Sequence, residues 1–237
     1  VNEEPIINLI ARDGRPFLFP LGAKTALVLI DMQRDFLAPD GYSGVGGEDV
    51  GETRKIIPRV RAVLDAARAA GLTIVHTREG HKPDLSDLTP AKAFRSKTAG
   101  AEIGAEGPLG RLLIRGEYGH DFVDELQPIA GERVIDKPGF GAFYQTDLGP
   151  TLERRGVTHL IFTGVTTQCC VHSTLREAVD RGYWCLLLED CTAAFDPDVQ
   201  KAAVDAVETE GGLFGWVSSS QPLIAAMAAV RSVAAQR

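Results

Sequence analysis

A chain of 237 residues with 44% hydrophobic and 24% charged residues suits one domain with a large core, and that composition excludes disorder and fibre. The net charge of −7 without any Lys/Arg block argues against a nucleic-acid partner. No apolar run approaches the roughly 18 residues of a membrane span, and Val1 to Pro5 lack signal-peptide features, so a single cytoplasmic domain over 1–237 with no membrane partner is expected.

Residues 1–21 carry short apolar runs (Ile6-Ile7, Phe17 to Phe19) interrupted by Gly14, Pro16 and Pro20, and they predict an irregular N-terminal extension packed on a neighbouring subunit. Thr25 to Ile30 is a continuous β-prone run of the kind found in interior parallel strands, and it ends in Asp31. The glycines between 41 and 51 lack both the Gly-x-Gly-x-x-Gly order and a Gly-Lys-Ser/Thr ending, so no nucleotide cradle is expected. Ile56, Val60, Val63, Leu64, Ala67 and Ala70 recur at helical spacing and predict a helix over 53–70, stopped by Gly71 ahead of a strand over 72–76.

Residues 78–119 form a long polar insertion with prolines at 83, 90 and 108, expected to act as a lid or a subunit contact. His81 and His120 read as solvated loop histidines. A short helix near 122–126, a strand over 133–137 ending in Lys137, and a helix over 147–155 closed by Gly156 follow. The run Leu160-Ile161-Phe162 predicts a buried strand that passes through Thr163 to Val171 into a helix marked by Val171, Leu175 and Ala178. A strand over 183–188, a helix over 198–208, a strand over 213–217 and a helix over 221–230 complete six strand–helix alternations. They predict an α/β fold, a three-layer α/β/α sandwich with a six-stranded, mostly parallel doubly wound sheet.

In such a sheet ligands bind beyond the carboxyl ends of the strands, which is where Asp31, Lys137 and the pair Cys169-Cys170 all fall. A thiol in the first turn of a helix faces unpaired N–H groups and the positive end of the helix dipole, which favours ionisation below the free value of roughly 8.5. The four cysteines, at 169, 170, 185 and 191, suit neither a disulfide framework nor zinc-ligand spacing and are expected as reduced thiols, with Cys185 in the core and Cys191 structural. Each site candidate also has a plain use: aspartate caps turns, lysine before Pro-Gly is solvated, and cysteine serves as a small buried hydrophobe.

Three segments raise these candidates together: Leu29-Ile30-Asp31-Met32-Gln33-Arg34-Asp35-Phe36; Lys137-Pro-Gly-Phe-Gly-Ala-Phe143-Tyr-Gln-Thr146-Asp-Leu148; and Gly164-Val-Thr-Thr-Gln-Cys-Cys170-Val. On them, from Thr25 to about Met227, the chain resembles the isochorismatase-like cysteine hydrolases, a Rossmann-like fold. The resemblance implies Cys170 as nucleophile, Asp31 as base, Lys137 as the cation supporting the thiolate, and Cys169 as a variable position. It also implies a cis peptide at Val165–Thr166 and an oxyanion hole made of the backbone N–H groups of Thr166 and Cys170. An amide-type carbonyl is then attacked, Asp31 returns the thiol proton to the departing nitrogen, ammonia leaves, and water hydrolyses the thioester, with neither metal nor cofactor.

Arg115-Gly-Glu-Tyr-Gly-His120, Val171-His-Ser-Thr-Leu-Arg-Glu177 and Gly211-Gly212 are similar to the biuret hydrolase branch. That likeness implies a small linear ureide partner, biuret, triuret or guanylurea, cut at a terminal C–N bond. Glu210 stands where that branch carries a substrate-holding glutamine, and a carboxylate there favours an N–H-rich substrate end. Phe36 is expected as an apolar wall of the pocket. The alternative within the family is an amidohydrolase for ureidoacrylate or another N-carbamoyl acid, which needs a cation for the substrate carboxylate from Arg78 or the insertion. From a different class, a catalytically silent small-molecule-binding scaffold is the alternative. Family habit implies a homo-oligomer such as a tetramer.

Overall fold

The structure is a computed structural model and describes residues 4–234, so the first three and last three residues of the expected 1–237 domain lie outside the described residues. The chain enters through an antiparallel hairpin, β1 (Ile6–Ile10) and β2 (Pro16–Pro20), where the sequence predicts an irregular extension. Ile7, Leu9, Phe17 and Phe19 are buried while Ile6, Ile10 and Leu18 face outward, the period of two that a strand imposes. Pro16 and Pro20 frame β2 at its ends, where a missing N–H is tolerated, rather than breaking it. The hairpin leans on its own chain: Arg12 N–H donates to Val217 O at 2.8 Å, and Phe17 stacks on Trp216.

After β3 (Thr25–Ile30) come α1 (Arg34–Leu37), α2 (Tyr42–Val45), α3 (Val50–Arg54) and α4 (Ile57–Ala69). The helix expected over 53–70 is thus two helices, because Pro58, lacking an N–H, suits the first turn of a new one. β4 (Thr73–Glu79) leads into the insertion, which holds α5 (Pro90–Thr98) and a small ladder of β5 (Glu106–Gly107) with β6 (Gly110–Arg111). A 3₁₀ turn (Asp124–Leu126), β7 (Arg133–Lys137), α6 (Leu148–Arg154), β8 (His159–Val165) and a π turn (Thr167–Val171) follow. The chain closes with α7 (His172–Asp180), β9 (Trp184–Ala193), α8 (Pro197–Gly212), β10 (Trp216–Ser218) and α9 (Ser220–Ala234).

Six strands form one sheet in the order β10-β9-β8-β3-β4-β7, and every neighbouring pair is parallel. Successive β3 residues serve opposite layers. Leu27 and Leu29 join Val60, Val63 and Leu64 of α4 and Leu223 of α9, whereas Ala26, Val28 and Ile30 join Leu152 of α6, Leu175 of α7 and Val207 of α8. A strand covered on both faces must be apolar throughout, which is why this one was legible as a continuous run.

The insertion is tied down at its base. The backbone N–H of Asp35 donates to Gly119 O at 2.8 Å, and its buried carboxyl accepts Leu113 N–H at 3.1 Å and Tyr42 N–H at 3.2 Å. His81 and His120 are buried, contrary to the solvated state expected: His81 Nδ1 lies 3.2 Å from Asp87 Oδ1, and the His120 ring covers Gly80, where a Cβ would meet it at 2.3 Å. Burial, with Arg78 adding to it, pushes the His120 imidazole down to about 4. Among the described residues no helix is long and apolar enough to cross a membrane.

β8 and β3 approach most closely at Gly164, whose φ is +111° and where a Cβ would lie 2.0 Å from Ile30 O. Gly164→Ala is therefore expected to destabilise the fold by about 3 kcal/mol or more, through overpacking against backbone and a φ that alanine disfavours. A urea titration checks this as a lower midpoint with an unchanged slope.

Candidate active site

The parallel sheet carries the ends of β3, β4, β7 and β8 to one edge, and the side chains that meet there are Asp31, Glu79, Lys137 and Cys170. Asp31 leaves β3 with φ +49°, a left-handed conformation that aspartate tolerates better than most residues. The Thr77 hydroxyl donates to Asp31 Oδ1 at 2.6 Å and accepts Asp31 N–H at 3.1 Å. Asp31 Oδ2 lies 2.7 Å from Lys137 Nζ, met by charge rather than by an aligned N–H. Lys137 is fully buried; its ammonium donates to Gly139 O at 3.0 Å and lies 3.4 Å from Glu79 Oε2. The Cys170 thiol donates to that same Glu79 oxygen at 3.1 Å. The three residues singled out by the motifs, Asp31, Lys137 and Cys170, are thus brought together with a fourth that they omit.

Cys170 is held by its backbone as much as by its neighbours. The Val165–Thr166 peptide is cis, as the resemblance implies, and Thr166 O accepts the N–H groups of Cys169 at 3.1 Å and Val171 at 3.3 Å. The Thr174 hydroxyl donates to Cys170 O at 2.7 Å while accepting Ala142 N–H at 3.0 Å, which ties the π turn to the segment after Lys137. π turns of this kind recur at functional sites because they offer backbone positions an α-helix does not.

The electrostatics differ from the helix-dipole expectation. The Cys170 thiol sits well above its ordinary range, raised by its hydrogen bond with Cys169, by burial and by the charges of Glu79 and Asp31, with Lys137 opposing. The hydrogen bond with Cys169 and burial thus work on the sulfur against the helix dipole. Burial raises the Asp31 carboxyl, although Lys137 pulls it back. Burial would raise Glu79 as well, yet the ammonium groups of Lys137 and Lys92 hold it down at about 2. Lys137 in turn stays above its ordinary range, because Asp31, Cys170 and Glu79 overcome the effect of its burial. Asp31, Glu79 and Cys170 place ligand-type atoms within 4.8 Å of one another, but the Lys137 ammonium already supplies the positive charge there, so the set does not suit a metal.

These groups open into a cavity of about 280 Å³, lined by Phe36, Tyr42, Glu79, Phe140, Thr166, Cys169 and Cys170. Phe36 is an apolar wall, as expected. The insertion contributes another wall through Lys92, Arg95 and Ser96. Lys92 Nζ reaches Glu79 Oε1 at 2.6 Å and Pro138 O at 2.7 Å, whereas Arg95 is an exposed residue of the same wall. Arg78, the other cation considered from the sequence, turns instead to Asp136 at 2.8 Å and Asp121 at 3.1 Å.

Glu210, expected from the sequence to hold substrate, is not among the residues that line this cavity. α8 starts beside the pocket residue Phe195 and runs back along the sheet toward the start of β10. Glu210, near its far end, therefore lies beside Gly211, whose carbonyl accepts from Arg15 of the hairpin. Glu79 was missed because the polar sequence Thr77-Arg78-Glu79 reads as the start of the insertion. Its signal was the alternation Val75, Thr77, Glu79, which keeps one face of β4 turned toward Asp31 and Cys170.

A three-layer α/β/α sheet carrying a buried aspartate, lysine and cysteine at its carboxyl edge defines the class: a cysteine hydrolase. Residues 25–222 match the Isochorismatase domain model. The ureidoacrylate amidohydrolase of Yersinia enterocolitica is 38% identical over 212 residues, covering 86% of this chain and 88% of that protein. The Caulobacter vibrioides enzyme of the same name is 35% identical over 217 residues, covering 87% and 93%. Among solved structures, a cysteine hydrolase from Pseudomonas syringae pv. phaseolicola superposes with a TM-score of 0.74 at 26% identity, covering 87% of this chain and 93% of that one. N-carbamoylsarcosine amidase from Thermoplasma acidophilum gives 0.63 at 26% identity, covering 83% and 96%. The chain belongs to the isochorismatase family, and its site fits a hydrolase acting on amide C–N bonds.

Removing the central cation leaves the buried Asp31 carboxylate unpaired and Glu79 with Lys92 as its one remaining cation. Lys137→Met is expected to cost on the order of 3–5 kcal/mol, read from urea denaturation, and to slow alkylation of Cys170 by iodoacetamide, read by peptide mass spectrometry.

Proposed function

We propose that the protein is a cysteine-dependent amidohydrolase that cleaves a C–N bond of a small N-carbamoyl acid of the ureidoacrylate type. The observation that carries this assignment is that Arg95, a cationic residue without an ion pair to Glu79, lines the same cavity as Cys170. It meets the need for a cation to pair with a substrate carboxylate, and guanidinium suits that partner because it can bind bidentately. The names of the amidohydrolases with which the chain aligns over most of its length support the same choice over biuret or triuret.

In this mechanism Asp31 takes the thiol proton of Cys170, and Lys137 holds the aspartate and the thiolate in place. The sulfur attacks the carbamoyl carbon, forming the C–S bond, and the resulting oxyanion takes hydrogen bonds from the backbone N–H groups of Thr166 and Cys170. Asp31 returns the proton to the departing nitrogen as the C–N bond breaks. Water then gives a proton to Asp31 and attacks the S-carbamoyl (thiocarbamate) carbon; the C–S bond breaks, the carbamate leaves, and the thiol recovers its proton from Asp31. A second assignment, an uncharged or cationic linear ureide such as biuret, triuret or guanylurea, is favoured by the two carboxylates of the cavity, Glu48 and Glu79, which accept N–H groups. A cytoplasmic setting and a homo-oligomer belong to the same proposal, supported by the free thiols and by the outward-facing Ile6, Ile10 and Leu18.

The test is ammonia release from ureidoacrylate, N-carbamoylsarcosine, biuret, triuret and guanylurea by wild type, Cys170→Ala and Arg95→Ala. Cys170→Ala should lose at least about 10⁴-fold in kcat. Arg95→Ala should raise KM for the carboxylate substrates about tenfold, the worth of one partly solvated charge-assisted bond, and leave the uncharged ureides unaffected. Turnover confined to biuret, triuret or guanylurea moves the enzyme to the second assignment, and a protein that hydrolyses none of the five but still binds them is the silent scaffold.

A further inference from the structure

Glu79 has no part in the proton transfers above, yet it is among the most constrained side chains of the site. Its backbone is clamped by Gln33, whose Nε2 donates to Glu79 O at 2.9 Å and whose Oε1 accepts Glu79 N–H at 2.7 Å. It stands beside Lys137 in the β4–β7 register. Its two oxygens are divided: Oε1 accepts from Lys92 at 2.6 Å, and Oε2 accepts the thiol of Cys170 at 3.1 Å together with a longer bond from Lys137 at 3.4 Å.

The bond from the thiol exists only while the sulfur carries its proton. Once the proton passes to Asp31, Glu79 Oε2 faces the nucleophile with an acceptor position open. A nitrogen on the attacked carbon lies one C–N bond, about 1.33 Å, from the atom joined to sulfur. Its N–H therefore comes within reach of an oxygen 3.1 Å from Sγ. We propose that Glu79 is a specificity residue that accepts an N–H of the ureide as Cys170 attacks, so that the site selects an N–H-bearing carbonyl over an ester. The proposal deepens the amidohydrolase assignment above and rests on it.

The charges around the sulfur give this role a signature. The titratable and charged groups acting on it are Asp31, Glu79, Lys137 and Cys169, with Lys92 behind Glu79 and Tyr42, Glu48 and Arg95 elsewhere on the cavity wall. With the thiol protonated, two carboxylates balance two ammonium groups. Glu79→Gln leaves two cations against one anion and so favours the thiolate. The variant should therefore have a more reactive sulfur and yet be a poorer ureide hydrolase, a pair of opposite effects that a proton acceptor or a packing residue would not produce.

The experiment compares wild type, Glu79→Gln and Glu79→Asp in the full chain. It measures iodoacetamide alkylation of Cys170 against pH by peptide mass spectrometry. It also measures kcat and KM on the ureide that wild type turns over best and on p-nitrophenyl acetate, which has no N–H, with circular dichroism as a check on folding. Glu79→Gln is expected to move the alkylation midpoint to lower pH, to lose roughly 10- to 100-fold in kcat/KM on the ureide, the worth of one charge-assisted hydrogen bond, and to hold or gain on the ester. Glu79→Asp should retain the wild-type alkylation midpoint more closely. Equal losses on ureide and ester, or an alkylation midpoint moved upward, overturn the proposal while leaving the amidohydrolase assignment intact. If wild type cleaves the ester and no ureide, the amidohydrolase assignment falls, and the role of Glu79 as ureide acceptor falls with it.

Discussion

The structure turns on one buried ammonium. Lys137 lies at 0% exposure, 2.7 Å from Asp31 and 3.4 Å from Glu79. A lone charge in that position would cost several kcal/mol in lost hydration, and only close partners of opposite sign offset it. Lys137 and its two partners come from three different strands, so the pairing exists only when β3, β4 and β7 end in register at one edge. The sheet and the site are therefore a single requirement: a slipped strand would strand a charge as well as misplace an apolar face.

The same cluster sets the charge around the sulfur. Asp31, Glu79 and Lys137 act on it directly, and a second ammonium, Lys92, is delivered to Glu79 by the insertion. The insertion is consequently part of the site's charge balance as well as a wall of its cavity. Its attachment runs through Asp35, a carboxyl raised to about 6 by burial, against the backbone N–H bonds from Tyr42 and Leu113 that pull it down. One segment, Asp31 to Phe36, thus supplies the proposed base, the Gln33 clamp on Glu79, the anchor of the insertion and an apolar wall of the cavity.

Division of labour between the two carboxylates follows from their surroundings rather than from their chemistry. Asp31 has one ammonium at 2.7 Å and a threonine hydroxyl, and burial raises its carboxyl above the ordinary value. Glu79 lies between two ammonium groups and stays an anion. An acid that titrates suits proton transfer, and one that does not suits fixed recognition.

Much of the architecture was legible because burial on both faces leaves a continuous apolar run, as in Thr25 to Ile30, and because the helices between strands keep a period near 3.6. Asp31, Lys137 and Cys170 stood out as polar residues closing such runs at the functional edge of a parallel sheet. The hairpin was not legible, since its prolines look like breaks until the ladder shows them at strand ends. Nor was the direction of the thiol's shift, which the helix dipole alone would make downward and which the hydrogen bond with Cys169 and burial make upward. Glu210 matched by its place in the chain and was carried away from the cavity by the direction of α8, while Glu79 lay in a segment that looked like loop. The sequence by itself determined the order of elements, the parallel sheet and three of the residues at its edge, because local periodicity and strand-end position are written residue by residue. Only the tertiary structure decided which charges share the sulfur, since that depends on side chains brought within a few ångströms of one another from strands 46 to 91 residues apart.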